Sequence, residues 1–377
     1  MHAIDRIPLP VVAPGTERYL TSTYRFGTGR PKAYIHTALH ADEWPGLLVL
    51  QHTAGALARE ADAAGQMIGE VVVVPAASPV GLAQSLNYHL VGRYDFAGSG
   101  NFNRNYPALA EQVLKLIGEQ IAQDPAQVVG LIRQTLREIL QGMEPGSEAQ
   151  AMKLALLGLS IDADIVLDLH CDSDALMHLY APLGQRQIAE ELGAELGARA
   201  VLLEEEPGGG AFDQANSSPW RTLREQYPEL PLACFASTVE LRGAADVSDD
   251  FAGQDSAALF RFLQRRGVIG GEPGDLPPAQ CEPTLLQGTD VLRAPAAGIL
   301  SYRKQLGEQI RAGDVVADLI VLDDLSQINR RIAITSRASG VLFARVTDKL
   351  VRPGGSVGKV AGADPLPHRK HGALLEE

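Results

Sequence analysis

The sequence is short of basic charge, of cysteine and of long apolar runs, and each shortage excludes a class of function. Lys and Arg number 33 against 46 Asp and Glu, a formal net charge of −13. No basic stripe interleaved with aromatics occurs, so nucleic acid and anionic membrane are not expected partners. No apolar stretch approaches the roughly 20 residues needed to span a bilayer. The opening "MHAIDRIPLPVVAPG" lacks a charged segment leading into an apolar one, so no signal peptide is expected. Only three cysteines occur (Cys171, Cys234, Cys281), widely spaced and without a C-x-x-C pair, as fits a reducing compartment. These absences point to a soluble cytoplasmic protein. Homo-oligomerisation is expected only on base rates.

What is present is apolar content, 45% of 377 residues, enough for a sizeable core and two domains. "YLTSTYRFG" (19–27) and "KAYIHTALH" (32–40) read as strands, followed by a helical stretch from Glu43 that ends on Gly65. "EVVVVPAAS" (70–78), "DIVLDLH" (164–170), "RAVLLEE" (199–205) and "ACFASTVEL" (233–241) read as buried strands. Helical stretches near 186–198, 217–226 and 251–266 separate or follow them. This alternation predicts a three-layer α/β domain with a mixed, largely parallel sheet over residues 1–270. Residues 108–160 carry three helical segments with no strand and read as a helical insertion. A Gly/Pro-rich linker covers 271–284. Short strands and turns over 285–363 predict a small all-β barrel or sandwich, and 364–377 reads as a mobile tail. The turns "LGEQIRAGDVVADL" and "DKLVRPGGSVGKV" resemble the paired turns of biotinyl/lipoyl-type domains, but "LDDLSQINRRIAITSRASG" has no lysine for a swinging arm.

The polar residues of interest fall where strands end, which is where open α/β sheets bind ligands. His40 and Glu43 lie three apart between a strand and a helix. His170 ends the buried run "VLDLH", and Glu240 sits near the end of "ASTVEL". Two histidines and a carboxylate can hold catalytic zinc, with a further carboxylate as base. Each piece alone is equally an ordinary polar turn or a satisfied structural histidine. Arg93, Asn103 and Arg104 form a cationic cluster in "VGRYDFAGSGNFNRNYP", suited to an anionic substrate or to a plain polar loop.

In their order along the chain, "LHADEWPG", "GRYDFAGSGNFNRNYP", "IVLDLH" and "STVELRG" resemble the zinc carboxypeptidase-like superfamily, and within it the succinylglutamate desuccinylase/aspartoacylase family. The resemblance implies a zinc-carboxypeptidase-like domain followed by a small β domain, with one zinc per chain held by His40, Glu43 and His170. It implies Glu240 as general base and then acid, and Arg93 as the group that steadies the oxyanion. Asn103 and Arg104 would hold a substrate carboxylate. The implied reaction is deacylation of a small N-acyl amino acid or related metabolite. The alternatives are a zinc carboxypeptidase acting on short peptides, or an inactive zinc-binding member.

The chain departs from the family at Asn101, where an aspartate is common; losing that charge is expected to alter how Arg104 is held. Trp44 is expected to pack, Arg242 is a candidate second anion contact, and Cys171 is expected to be structural. Residues 204–221 read as a mobile loop over the site.

Overall fold

The computed structural model describes residues 3–10, 14–62, 64–125, 127–205, 208–322 and 330–369. The chain divides into two compact units. The first comprises residues 1–170, 209–238 and 247–276, and the second 171–208, 239–246 and 277–377. The mixed α/β sheet is built from β1 (Ala3–Pro8), β2 (Tyr19–Gly27), β3 (Lys32–Thr37), β4 (Glu70–Val74), β5 (Ile165–Asp172), β6 (His178–Pro182), β7 (Ala200–Glu204) and β8 (Phe235–Gly243). Its helices are α1 (Pro45–Ala56), α2 (Ala110–Gln123), α3 (Val129–Gln141), α4 (Glu148–Ser160), α5 (Arg186–Leu196), α6 (Phe212–Gln226) and α7 (Asp249–Arg265).

In the first unit the strand order is β1-β2-β4-β3-β5, with the start of β8 beside β5. β4, β3 and β5 run parallel, whereas β1 and β2 are antiparallel additions at the edge. The parallel strands are buried along their length (β3 has no exposed residue), so they need helices on both faces. Alternation sends Tyr34, Val72, Val74, Val166 and Ala236 into one core with residues of α2, α3, α4 and α6. The three helices of 108–160 therefore complete a layer of the domain: Ile121, Ile132, Met152 and Leu156 are fully buried there. α1 contacts β3 and β4 and packs along α7.

Two departures from the sequence reading concern this unit. Residues 212–221 are not a loop. They form most of α6, because Phe212, Ala215, Trp220 and Leu223 recur at helical spacing and bury despite Pro219. The remaining part of that stretch includes residues 206–207, which lie outside the described residues. β1, at the N-terminal edge, was not anticipated.

The second unit contains β6 and β7 in parallel, with Thr284–Leu285 parallel to β7. β6 was also not anticipated: five residues ending in proline give little period to read. Two antiparallel sheets follow. One orders Asp174–Ala175, Gly340–Arg345, Ser356–Gly362 and Thr289–Arg293; the other orders Arg331–Thr335, Val315–Val321, Gly298–Tyr302 and Leu350–Val351. Leu319, Leu342, Val357 and Val360 centre their core. Part of the lysine-free hairpin, residues 323–329, and residues 370–377 of the expected tail lie outside the described residues. Among the described residues no helix is long and apolar enough to cross a membrane.

Candidate metal centre

β3 stops at Thr37, and Ala38 takes a positive φ of 57° to start the turn that carries His40. α1 then begins at Pro45, whose fixed φ suits a first helical turn. The helix start lies directly on the strand end: a Cβ on Gly46 would stand 2.0 Å from Thr37 Oγ1, so only glycine fits. Ala41 N–H donates to the carbonyl of Gly92 at 3.0 Å, which ties the His40 turn to the loop bearing Arg93. His40 and Glu43 are thereby three apart on one tight, buried turn.

His170 reaches them from β5. Glu43 lies between the two imidazoles, its Oε1 2.9 Å from His40 Nδ1 and its Oε2 2.7 Å from His170 Nδ1. One ligand atom from each of the three residues can be chosen so that all lie within 4.8 Å of one another, and all three residues are buried. The other ring nitrogens are also committed. His170 Nε2 is 2.8 Å from Asp168 Oδ1, and His40 Nε2 is 2.9 Å from Asn101 Oδ1.

These contacts fix the proton positions. Asn101 Oδ1 also accepts the Asn103 backbone N–H at 2.8 Å, so that atom is the amide oxygen and His40 Nε2 must donate to it. Neutral His40 then turns an Nδ1 lone pair towards a carboxylate oxygen. His170 Nε2 lies 3.1 Å from Asn103 Nδ2 but closer, at 2.8 Å, to the Asp168 carboxylate; with Asn103 Nδ2 donating to the other Asp168 oxygen, His170 Nε2 donates to that anion. Two lone pairs aimed at one carboxylate repel unless a cation or proton lies among them. Without a metal the proton goes to His170. Burial works against its charge, but Asp168 and Glu43 outweigh burial and hold its pKa well above the usual value. Burial lowers His40, with Glu43 opposing, so His40 stays neutral. Burial would raise Glu43, yet His170 and His40 bring it well below the usual carboxylate range. A divalent cation fits this donor set: two buried Nδ1 atoms and a carboxylate, each imidazole oriented by an acceptor behind it.

Behind His170 lies a network that the sequence reading missed. The β3–β5 register sets His36 opposite Asp168. Asp168 is fully buried and accepts from His36 Nε2 at 2.7 Å as well as from His170. Its Oδ2 takes Asn103 Nδ2 at 3.2 Å, and the Tyr34 hydroxyl donates to His36 Nδ1 at 3.0 Å. Phe212 stacks on His36 with ring centroids 4.3 Å apart. The available signal was Asp168 two residues before His170, on the same strand face.

The loop residues are placed as follows. Arg93, with 43% of its side chain exposed, donates to Glu43 Oε1 at 2.7 Å. Asn103 is buried with its amide used at both ends, donating to Asp168 and accepting from Phe212 N–H at 2.8 Å. Arg104 Nη1 donates to the Asn103 carbonyl at 2.7 Å. The departure at Asn101 thus bears on His40, and the expected effect on Arg104 is not where its side chain reaches. Lys153 of α4 donates to the carbonyls of Arg104 at 2.6 Å and Asn101 at 3.3 Å, so the helical segment anchors this loop. Asp213 near the start of α6 is buried and interacts with Thr238. Burial, then Asp168, pushes its carboxyl up to about 6.

Trp44 is 47% exposed, against the packing role expected for it. Ser217 bonds the Asp213 carbonyl within α6. Cys171 is buried and forms no disulfide. Glu240 and Arg242 lie on the second half of β8, within the second unit, where Arg242 has a positive φ of 64°.

No protein-family model matches the sequence, and no curated protein does. Solved structures share the fold. A succinylglutamate desuccinylase/aspartoacylase family protein of Shewanella amazonensis superposes with TM-score 0.82 at 24% identity, over 95% of this chain and 98% of that one. A protein of Shewanella frigidimarina described in the same terms gives 0.82 at 23% identity, over 96% and 97%. The product-bound ectoine utilization protein EutE (DoeB) of Ruegeria pomeroyi gives 0.65 at 17% identity, over 96% and 95%.

Proposed function

We propose that this chain is a member of the succinylglutamate desuccinylase/aspartoacylase family, a zinc-dependent amidohydrolase that deacylates a small N-acyl amino acid or related metabolite. One observation carries the reading: His40 Nδ1, His170 Nδ1 and the Glu43 carboxylate, all buried, converge closely enough to serve as one ligand set. Structural neighbours named for desuccinylases and aspartoacylases support it, and the product-bound neighbour supports a small-molecule substrate.

His40, Glu43 and His170 are the proposed ligands of one zinc per chain. When bound, zinc supplies Lewis acidity, acidifying water and polarising the scissile carbonyl. Glu240 accepts the proton of the attacking water and returns it to the leaving amine. Arg93 has enough exposed guanidinium to meet charge that develops on the carbonyl oxygen, a contribution typically of about 10²–10³ in rate. Arg104, aimed by the Asn103 carbonyl, holds a substrate carboxylate. Arg242 is proposed as a second anion contact. The small β domain of biotinyl/lipoyl type is proposed to be structural, without a carrier lysine.

Amine release tests this, measured on zinc-loaded protein against N-acetyl and N-succinyl derivatives of acidic, basic and neutral amino acids, with di- and tripeptides alongside. The expected result is release from one acyl amino acid, lowered about 10²–10⁴-fold in Glu240→Gln. Release from peptides alone would replace the reading with a carboxypeptidase. Zinc bound without any release would favour an inactive member.

A further inference from the structure

The two imidazoles of the centre are backed by unequal acceptors. His170 donates to Asp168, an anion with no exposed surface. His40 donates to the neutral amide of Asn101. We propose that Asn101 sets the strength of His40 as a ligand, so that this chain holds its metal less tightly than the same site would with a carboxylate at position 101. The inference rests on the zinc reading and goes beyond it.

Geometry alone does not require an amide there. The Asn101 side chain is used through one oxygen, which accepts both the His40 Nε2–H and the Asn103 N–H. An aspartate offers the same oxygen at the same place, so the difference is one of charge. A charge-assisted hydrogen bond is roughly twice as strong as a neutral one, and an anionic acceptor makes the imidazole a more basic ligand. Nor do the surroundings exclude a carboxylate. The Lys153 ammonium lies 3.3 Å from the Asn101 carbonyl oxygen, and Arg93 stands on the shared neighbour Glu43. The asymmetry is therefore a property of this residue and can be altered by one substitution. Asp168, in contrast, is shared among His36, His170 and Asn103, so its replacement disturbs three partners at once.

The test is zinc affinity of the metal-stripped full chain, read by competition with a chromophoric chelator, with the melting temperature of each metal-free variant recorded. Asn101→Asp is expected to tighten zinc about 10-fold, the low end of what an outer partner contributes. It should also slow zinc loss to excess chelator. Equal or weaker affinity in a variant that melts like the parent would overturn the inference. Should Asn101→Asp fail to fold, Asn101→Ala decides: it is expected to loosen zinc by less than Asp168→Ala does, and an equal or larger loss overturns the inference. Failure of the zinc reading itself looks different, because the parent would then bind no more zinc than His40→Ala.

Discussion

The two halves of the centre are built by different means. His170, Asp168 and His36 stand on parallel strands whose register alone brings them together, and the network they form is closed to solvent. His40, Glu43, Arg93, Asn101 and Arg104 stand on turns and loops. Their positions depend on individual hydrogen bonds: Ala41 to Gly92, Asn103 to Asn101, and Lys153 to two carbonyls. The difference teaches where to look for each property. The strand half can fix a metal rigidly, and the loop half can be tuned or moved by single residues. Three substitutions break or sharpen that contrast, in falling order of effect.

Asp168→Asn strikes the strand half. It removes the anion that orients His170 and His36, and zinc affinity is expected to fall about 10–100-fold. A chelator titration reads the change, and affinity within two-fold of the parent would show the network to be incidental.

Lys153→Met strikes the loop half while leaving the strands intact. The buried Asn101 carbonyl and the part-buried Arg104 carbonyl lose their donor, at a cost of about 1–3 kcal/mol for the buried one. The loop carrying Asn101 to Arg104 then shifts, and displacement of a positioning group by about 1 Å can cost 10² in rate. The expected outcome is a fall in kcat/KM with the loss in zinc affinity smaller than that of Asp168→Asn. If metal binding failed first and by more, Lys153 would serve the metal rather than the loop.

Asp213 gives the smallest effect and a pH signature. Its carboxyl is pushed up to about 6 by burial and by Asp168, whereas an aspartate in the unfolded chain titrates near 3.9. A raised acid favours folding while it is protonated. That stability is fully present below about pH 4 and is lost as pH rises through 6. Asp213→Asn cannot ionise, so its stability relative to the parent should increase between pH 4 and 7, by on the order of 1–3 kcal/mol. Urea unfolding at three pH values measures this, and a difference that stays flat with pH would contradict the assignment.

Much of the sheet and part of the centre were legible because both rest on short-range patterns. Continuous apolar runs marked β3, β4, β5, β7 and β8. His40, Glu43 and His170 stood at strand ends, where a ligand set could be recognised by residue type. Partners set by register were not legible: His36 meets Asp168 only through the β3–β5 pairing, across 132 positions of chain. Lys153 was hidden for a related reason. It lies on a helix that reads as an insertion, yet the helix completes the core and its lysine reaches back to the loop. The helical reading of 217–226 matches the second half of α6, but its start was misread as loop because "PGGG" and Pro219 carry strong local turn signals, and burial of Phe212 and Trp220 overrides them. The role of Asn101 needed the fold as well. Only the placement of its oxygen shows that its departure from the family pattern falls on His40.

Zinc stoichiometry by native mass spectrometry tests the centre most directly, on the parent chain and on His170→Ala after stripping and reloading. One zinc per parent chain and none retained by His170→Ala is the expected result. A parent chain that takes up no zinc, or a variant that keeps it, would contradict a metal centre at His40, Glu43 and His170.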